Sequence, residues 1–169
     1  TCRYTFPCHN TGDAADPQNL DATMRLATAY SAVGKDTLAV ETFRRAANIA
    51  PASQDVRLYL ALHYAKGREW ARAVPLLEQV LAESPERVPA LEALALARER
   101  EGRLGDSVAL RQRLFTLRPA SPAELVQLGR VAMGAQQTDV AIGAFERAKA
   151  AQGAAQGHGH GQHHAGHAD

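Results

Sequence analysis

The sequence predicts an all-α protein in which one helical unit is stacked about four times. Pro51, Pro85 and Pro119 are separated by 34 residues, with Gly153 at the next step. The same step relates Leu26, Leu60, Leu94 and Leu128, and beside them the small residues Ala27, Ala61, Ala95 and Gly129. Self-similarity at a fixed period of this length marks a repeat architecture. Aromatic residues make up only 5% of the chain and alanine is abundant, which favours closely packed helices over a β-sandwich. A content of 46% hydrophobic and 22% charged residues over 169 residues suits one globular domain with a real core.

Each unit follows from its residues in turn. Residues 1–19 lie outside the repeat and hold both cysteines. The first unit, about 20–53, is expected to start its leading helix at Asn19, turn near Gly34, and place Ala39 and Phe43 on the second helix. The second, about 54–87, is capped by Ser53, turns near Gly67, and repeats the pair as Ala73 and Leu77. The third, about 88–121, keeps Leu94, Ala95, Gly102 and Pro119. It puts Arg98 where Tyr30 and Tyr64 stand, Arg111 at the Phe43 and Leu77 position, and Ser107 at the alanine position, so looser packing is expected there. The fourth, about 122–153, starts behind Ser121 and restores Ala141 and Phe145. Residues 154–169 form a Gly/His-rich tail.

This register resembles the tetratricopeptide repeat (TPR) family, in which two antiparallel helices occupy 34 residues and a proline precedes the next unit. The resemblance implies a right-handed α-solenoid that binds proteins in a concave groove. Carried over position by position, the groove would contain Met24, Leu58, Leu62, Leu96, Val126, Arg130 and Met133, with Asp21, Thr28, Asp55, Glu92 and Glu99 among them. That is an apolar floor with acidic edges, although the same side chains are equally placed to pack against neighbouring helices. The variant of the family that grips acidic chain ends needs Lys, Arg and Asn where this chain has Met24, Thr28, Tyr59, Pro89 and Ala93. That function is therefore not implied.

Other function classes find little support. A net charge of +1, from 19 Lys+Arg and 18 Asp+Glu, gives no basic excess for a nucleic-acid partner. No apolar run is long enough to span a membrane. No phosphate loop, nucleophile elbow or HExxH appears, so no enzyme activity is expected. His63 replaces the small residues Ala29, Ala97 and Val131 of the other units, and is expected to be a satisfied core histidine, with a ligand role as the alternative.

The two ends carry metal-binding and thiol chemistry. Cys2 and Cys8 are expected to form a small disulfide loop that ties down the terminus. Cys8-His9 also looks like an expanded form of the haem attachment motif of c-type cytochromes, with five residues between the cysteines rather than two. Haem c on Cys2, Cys8 and His9 is thus an alternative, as are another metal site and an intermolecular bridge. His158, His160, His163, His164 and His167 stand in a glycine-rich chain that can wrap around Cu(II), Ni(II) or Zn(II). A first residue of Thr1 rather than Met fits removal of a signal peptide, and with the cysteine pair it suggests a periplasmic or extracellular protein.

After Ala148 the chain runs into the tail without a capping helix, so Val140, Ile142 and Phe145 are expected to leave apolar surface at the last unit. The partners expected are therefore a protein in the groove or at that end, with a homo-oligomer or a subunit of a larger assembly as the form. The leading reading is an exported interaction or assembly subunit with an accessory metal-binding tail. A c-type haem electron-transfer protein or filament subunit using Cys2, Cys8 and His9, and a periplasmic metal-handling protein, are the rivals.

Overall fold

The computed structural model describes the backbone of residues 17–157 and the side chains of residues 19–153. Eight helices follow one another in that span: α1 (Pro17–Ala32), α2 (Asp36–Ile49), α3 (Gln54–Lys66), α4 (Trp70–Glu83), α5 (Val88–Arg100), α6 (Leu104–Leu117), α7 (Pro122–Gly134) and α8 (Thr138–Gly157). Each odd helix pairs with the even helix after it, and each pair packs on the next. The result is a right-handed α-solenoid of four helix pairs, with no strand among the described residues.

Small residues set the spacing within the pairs. Ala27, Ala39, Ala61, Ala73, Ala95, Ser107 and Ala141 are all buried, so the backbones of paired helices approach closely. Gly129 is the tightest of these positions, since a Cβ there would lie 2.6 Å from the Phe145 ring. Apolar burial is the main stabilising contribution.

The turns inside the pairs repeat one backbone conformation. Gly34, Arg68, Gly102 and Gln136 all have φ between 59° and 77°, and they too are 34 residues apart. At each, the residue that follows donates to a carbonyl five residues back, from Lys35 to Tyr30, Glu69 to Tyr64, Arg103 to Arg98 and Gln137 to Ala132. This is the Schellman ending, whose left-handed residue favours glycine. Gly67 has an ordinary φ of −75°, so the second turn hinges on Arg68, one residue beyond the glycine that the sequence suggested. Arg68→Gly and Gln136→Gly are each expected to stabilise the fold by roughly 1 kcal/mol, because L side chains are strained in this region. Urea denaturation checks this; an unchanged or lower midpoint refutes it.

Helix starts and stops follow local chemistry. Ser53 Oγ accepts from the Val56 N–H, and Ser121 forms a reciprocal capping box with Glu124. Asn19 is not a cap: α1 begins at Pro17 and Asn19 lies in its first turn. Pro51, Pro85 and Pro119 lie beyond the ends of α2, α4 and α6. Gly153 keeps its N–H at that register position, and α8 runs on to Gly157. Its final residues, 154–157, therefore extend the helix into what the sequence assigned to the tail.

The third unit is polar rather than merely loose. One buried apolar cluster runs from Ala27 to Ala97 and a second from Val108 to Ala144, with Leu110 reaching across to the first. Ionic groups gather between them. Arg98 bonds Glu101 at 2.7 Å and also pairs with Glu78 of α4, contacts that hold its guanidinium more basic than usual. Glu99 takes the Arg111 guanidinium and the Gln127 amide, each at 2.8 Å.

Candidate protein-interaction surfaces

The leading helices α1, α3, α5 and α7 form one layer of the solenoid, with α3 also touching α5, and the trailing helices form the other. The residues read from the sequence as groove-lining divide on this layer. Leu58 is only 4% exposed and belongs to the core, so it is not a groove residue. Its side chain is taken up by neighbouring helices, the competing use already open to that position. Leu62 and Val126 are half-buried, and Leu62 packs against the core. Leu96, Arg130 and Met133 are exposed, Met133 to 55%. Met24, Thr28 and Tyr59 meet around a hollow of about 400 Å³ with Arg25, Ala29 and Ala32. Tyr59, which in the sequence signals only the absence of a carboxylate-gripping charge, is an exposed aromatic stacked 5.9 Å from Phe43.

The acidic edges expected of this surface are already neutralised. Asp21 bonds Arg25 at 2.7 Å, Asp55 pairs with Arg87, Glu92 bonds Arg118 at 2.6 Å, and Glu99 holds Arg111. Such pairs add little stability when exposed, but they cancel the charge that a partner would meet. Arg118 also grips Glu124 at 2.5 Å; that contact, with the Ser121 N–H, lowers the Glu124 carboxyl to about 2. The Arg118 guanidinium thus joins α5 to the start of α7.

His63 sits beside the core without being satisfied. Its ring lies 4.6 Å from Phe43, and its Nδ1 is buried without a hydrogen-bond partner. Burial, helped by Lys66 and opposed by Asp36, pushes its pKa below the ordinary imidazole value. The folded state therefore binds this proton less readily than the unfolded chain. Stability is expected to be unaffected above about pH 6.5 and to fall below it, where the unfolded imidazole protonates first. His63→Val, the residue of the fourth unit, should flatten the urea midpoint between about pH 6.5 and 5; an identical slope in both proteins refutes the assignment.

Each end of the described stack exposes apolar side chains. Ile142 is 51% and Phe145 38% exposed on α8, whereas Val140 turns into an outer hollow of about 430 Å³ with Phe115, Leu128 and Ala144. At the other end Leu26 is 47% exposed, although Leu60, Leu94 and Leu128 at the same register position are buried. No helix among the described residues is long and apolar enough to cross a membrane. No group of three or more His, Cys, Asp or Glu among them is placed to hold a metal. Cys2, Cys8 and His9, and His158, His160, His163, His164 and His167, lie outside the described residues.

Comparison with known proteins agrees with this architecture. The tetratricopeptide repeat family matches residues 60–89, the second half of α3 through the start of α5. No curated protein matches the chain. Among solved structures, MamA of AMB-1 is 23% identical with a TM-score of 0.70, covering 80% of this chain and 75% of that one. A crystal structure of MamA protein reaches a TM-score of 0.74 at 17% identity, covering 88% and 81%. MamA from Desulfovibrio magneticus RS-1, from residue 41 onward, gives 0.71 at 19%, covering 80% and 76%. These likenesses establish the shared fold. One unit, residues 60–89, matches the tetratricopeptide repeat model, and the other helix pairs repeat it in register and in fold.

Proposed function

We propose that this protein is an interaction or assembly subunit that works by binding proteins, not by catalysis. The observation that carries the reading is the row of exposed or half-exposed side chains on the leading helices, Met24, Tyr59, Leu96 and Met133, beside acids already matched by arginines. A neutral, largely apolar strip suits a partner segment that presents apolar side chains, and it differs from the basic groove that would hold a carboxylate. A photo-crosslinking residue at Tyr59, Leu96 or Met133 is expected to capture discrete partners. The same residue at Ala109, exposed on α6, is expected to capture none. Equal capture from both layers would overturn the groove reading.

The same proposal includes export to the periplasm or the cell exterior, a Cys2–Cys8 disulfide, and an accessory tail that binds Cu(II), Ni(II) or Zn(II) through His158, His160, His163, His164 and His167. The support is residue chemistry: dense imidazoles among glycines, and two cysteines close together in sequence. Because α8 runs to Gly157, removing residues 158–169 spares the repeat. Calorimetry with each ion is expected to show uptake that is lost on this deletion and on protonation below about pH 6.5. Equal uptake by both chains would exclude the tail.

A further inference from the structure

We propose that a second copy of this chain docks its α1 face on the α8 face of the first, continuing the 34-residue stack from copy to copy. The inference rests on the assembly reading above and names the occupant of the exposed end. Phe43, Leu77 and Phe145 occupy one register position. Phe43 and Leu77 are fully buried, and Phe43 is covered from the following unit by Tyr59 at 5.9 Å and His63 at 4.6 Å. Ile142 shows the same contrast, since Val74 and Val108 at its position are buried. The α8 face therefore has the side chains of an internal repeat interface, and no further unit follows it among the described residues.

The complementary face is on α1. Leu26 is exposed where its three equivalents are buried, and no helix pair precedes α1 among the described residues. The α1 positions equivalent to Tyr59 and His63 are Arg25 and Ala29, both exposed. Set on α8 in register, the Arg25 guanidinium would meet the Phe145 ring as a cation–π contact, and Ala29 would leave room for it. Glu146 stands where Glu78 receives Arg98 from the next unit, and the incoming copy offers the Tyr30 hydroxyl at the Arg98 position. A head-to-tail contact uses different faces on each copy, so it repeats into a chain of copies rather than stopping at a dimer.

Sedimentation velocity of the full chain over a dilution series tests this. The wild type is expected to pass through dimers to larger species as concentration rises. Leu26→Glu and Ile142→Glu change exposed side chains at opposite ends, and circular dichroism should show wild-type helicity for both. Each variant alone is expected to stay monomeric, because one of its two faces is spoiled. An equimolar mixture should form dimers and stop there, since only one good head meets one good tail. A wild type that remains monomeric, association of Leu26→Glu by itself, or a mixture that stays monomeric would each overturn the proposal. So would association that appears only after removal of residues 158–169, which would make the chain's own tail the occupant of the α8 face. The crosslinking result at Tyr59, Leu96 and Met133 is independent of all these outcomes, so failure of stacking and failure of the groove reading are distinguishable.

Discussion

Phe43→Ala is expected to destabilise the protein by about 3–5 kcal/mol, the range for emptying a fully buried aromatic site. The ring is wholly excluded from solvent and holds the first unit to the second through Tyr59 and His63. In a solenoid each unit is stabilised by its neighbours, so the loss falls mainly on α1 and α2. Amide exchange should accelerate there first, while α7 and α8 stay protected. Phe145→Ala supplies the comparison, because its ring occupies the same register position but is 38% exposed. It should cost clearly less in the dilute monomer, where part of its surface stays in water. Urea denaturation of the two variants decides the matter, and equal losses would show that burial by the next unit is not what Phe43 contributes.

How much of this was legible in the sequence depends on whether a property belongs to a position or to its neighbours. The register places every helix pair and every small contact residue, because Ala39, Ala73, Ser107 and Ala141 answer to one local requirement, close helix approach. Exposure in the groove is a property of neighbours. Leu58 and Leu96 are both leucines on leading helices, yet one enters the core and the other faces solvent. The left-handed turn position was visible at Gly34 and Gly102 but hidden at Arg68 and Gln136, whose side chains give no hint of positive φ. Among the terminal residues, sequence chemistry alone speaks for the cysteine pair and the histidines. In the third unit Arg98, Arg111 and Ser107 read as departures from the repeat. The two arginines are matched by neighbours that no register shows: Glu78 of α4 and Glu101 at the end of α5 pair with Arg98, and Glu99, which also accepts from Gln127 of α7, pairs with Arg111.

Glu99→Ala is expected to cost about 2–4 kcal/mol and to broaden or split the unfolding transition. The Arg111 and Glu99 side chains are only 14% and 21% exposed, so removing the carboxylate leaves a mostly buried guanidinium without its counter-charge. Breaking such a pair from one side typically costs about 3–5 kcal/mol when burial is complete, and somewhat less here. Glu99 also holds Gln127 of α7, at the place where the two apolar clusters divide. Its loss should therefore let α6–α8 unfold apart from α1–α5, seen as two phases in urea by circular dichroism. The other units suggest the rescue, because they place Phe43, Leu77 and Phe145 at the Arg111 position and small or apolar Ser31, Ala65 and Met133 at the Glu99 position. Glu99→Ala combined with Arg111→Leu should thus recover most of the stability, since both charges leave together and a leucine extends the apolar core across the division. If the double variant is no more stable than Glu99→Ala alone, the pair is not what joins the two clusters, and the α5–α6 packing must hold them together by itself.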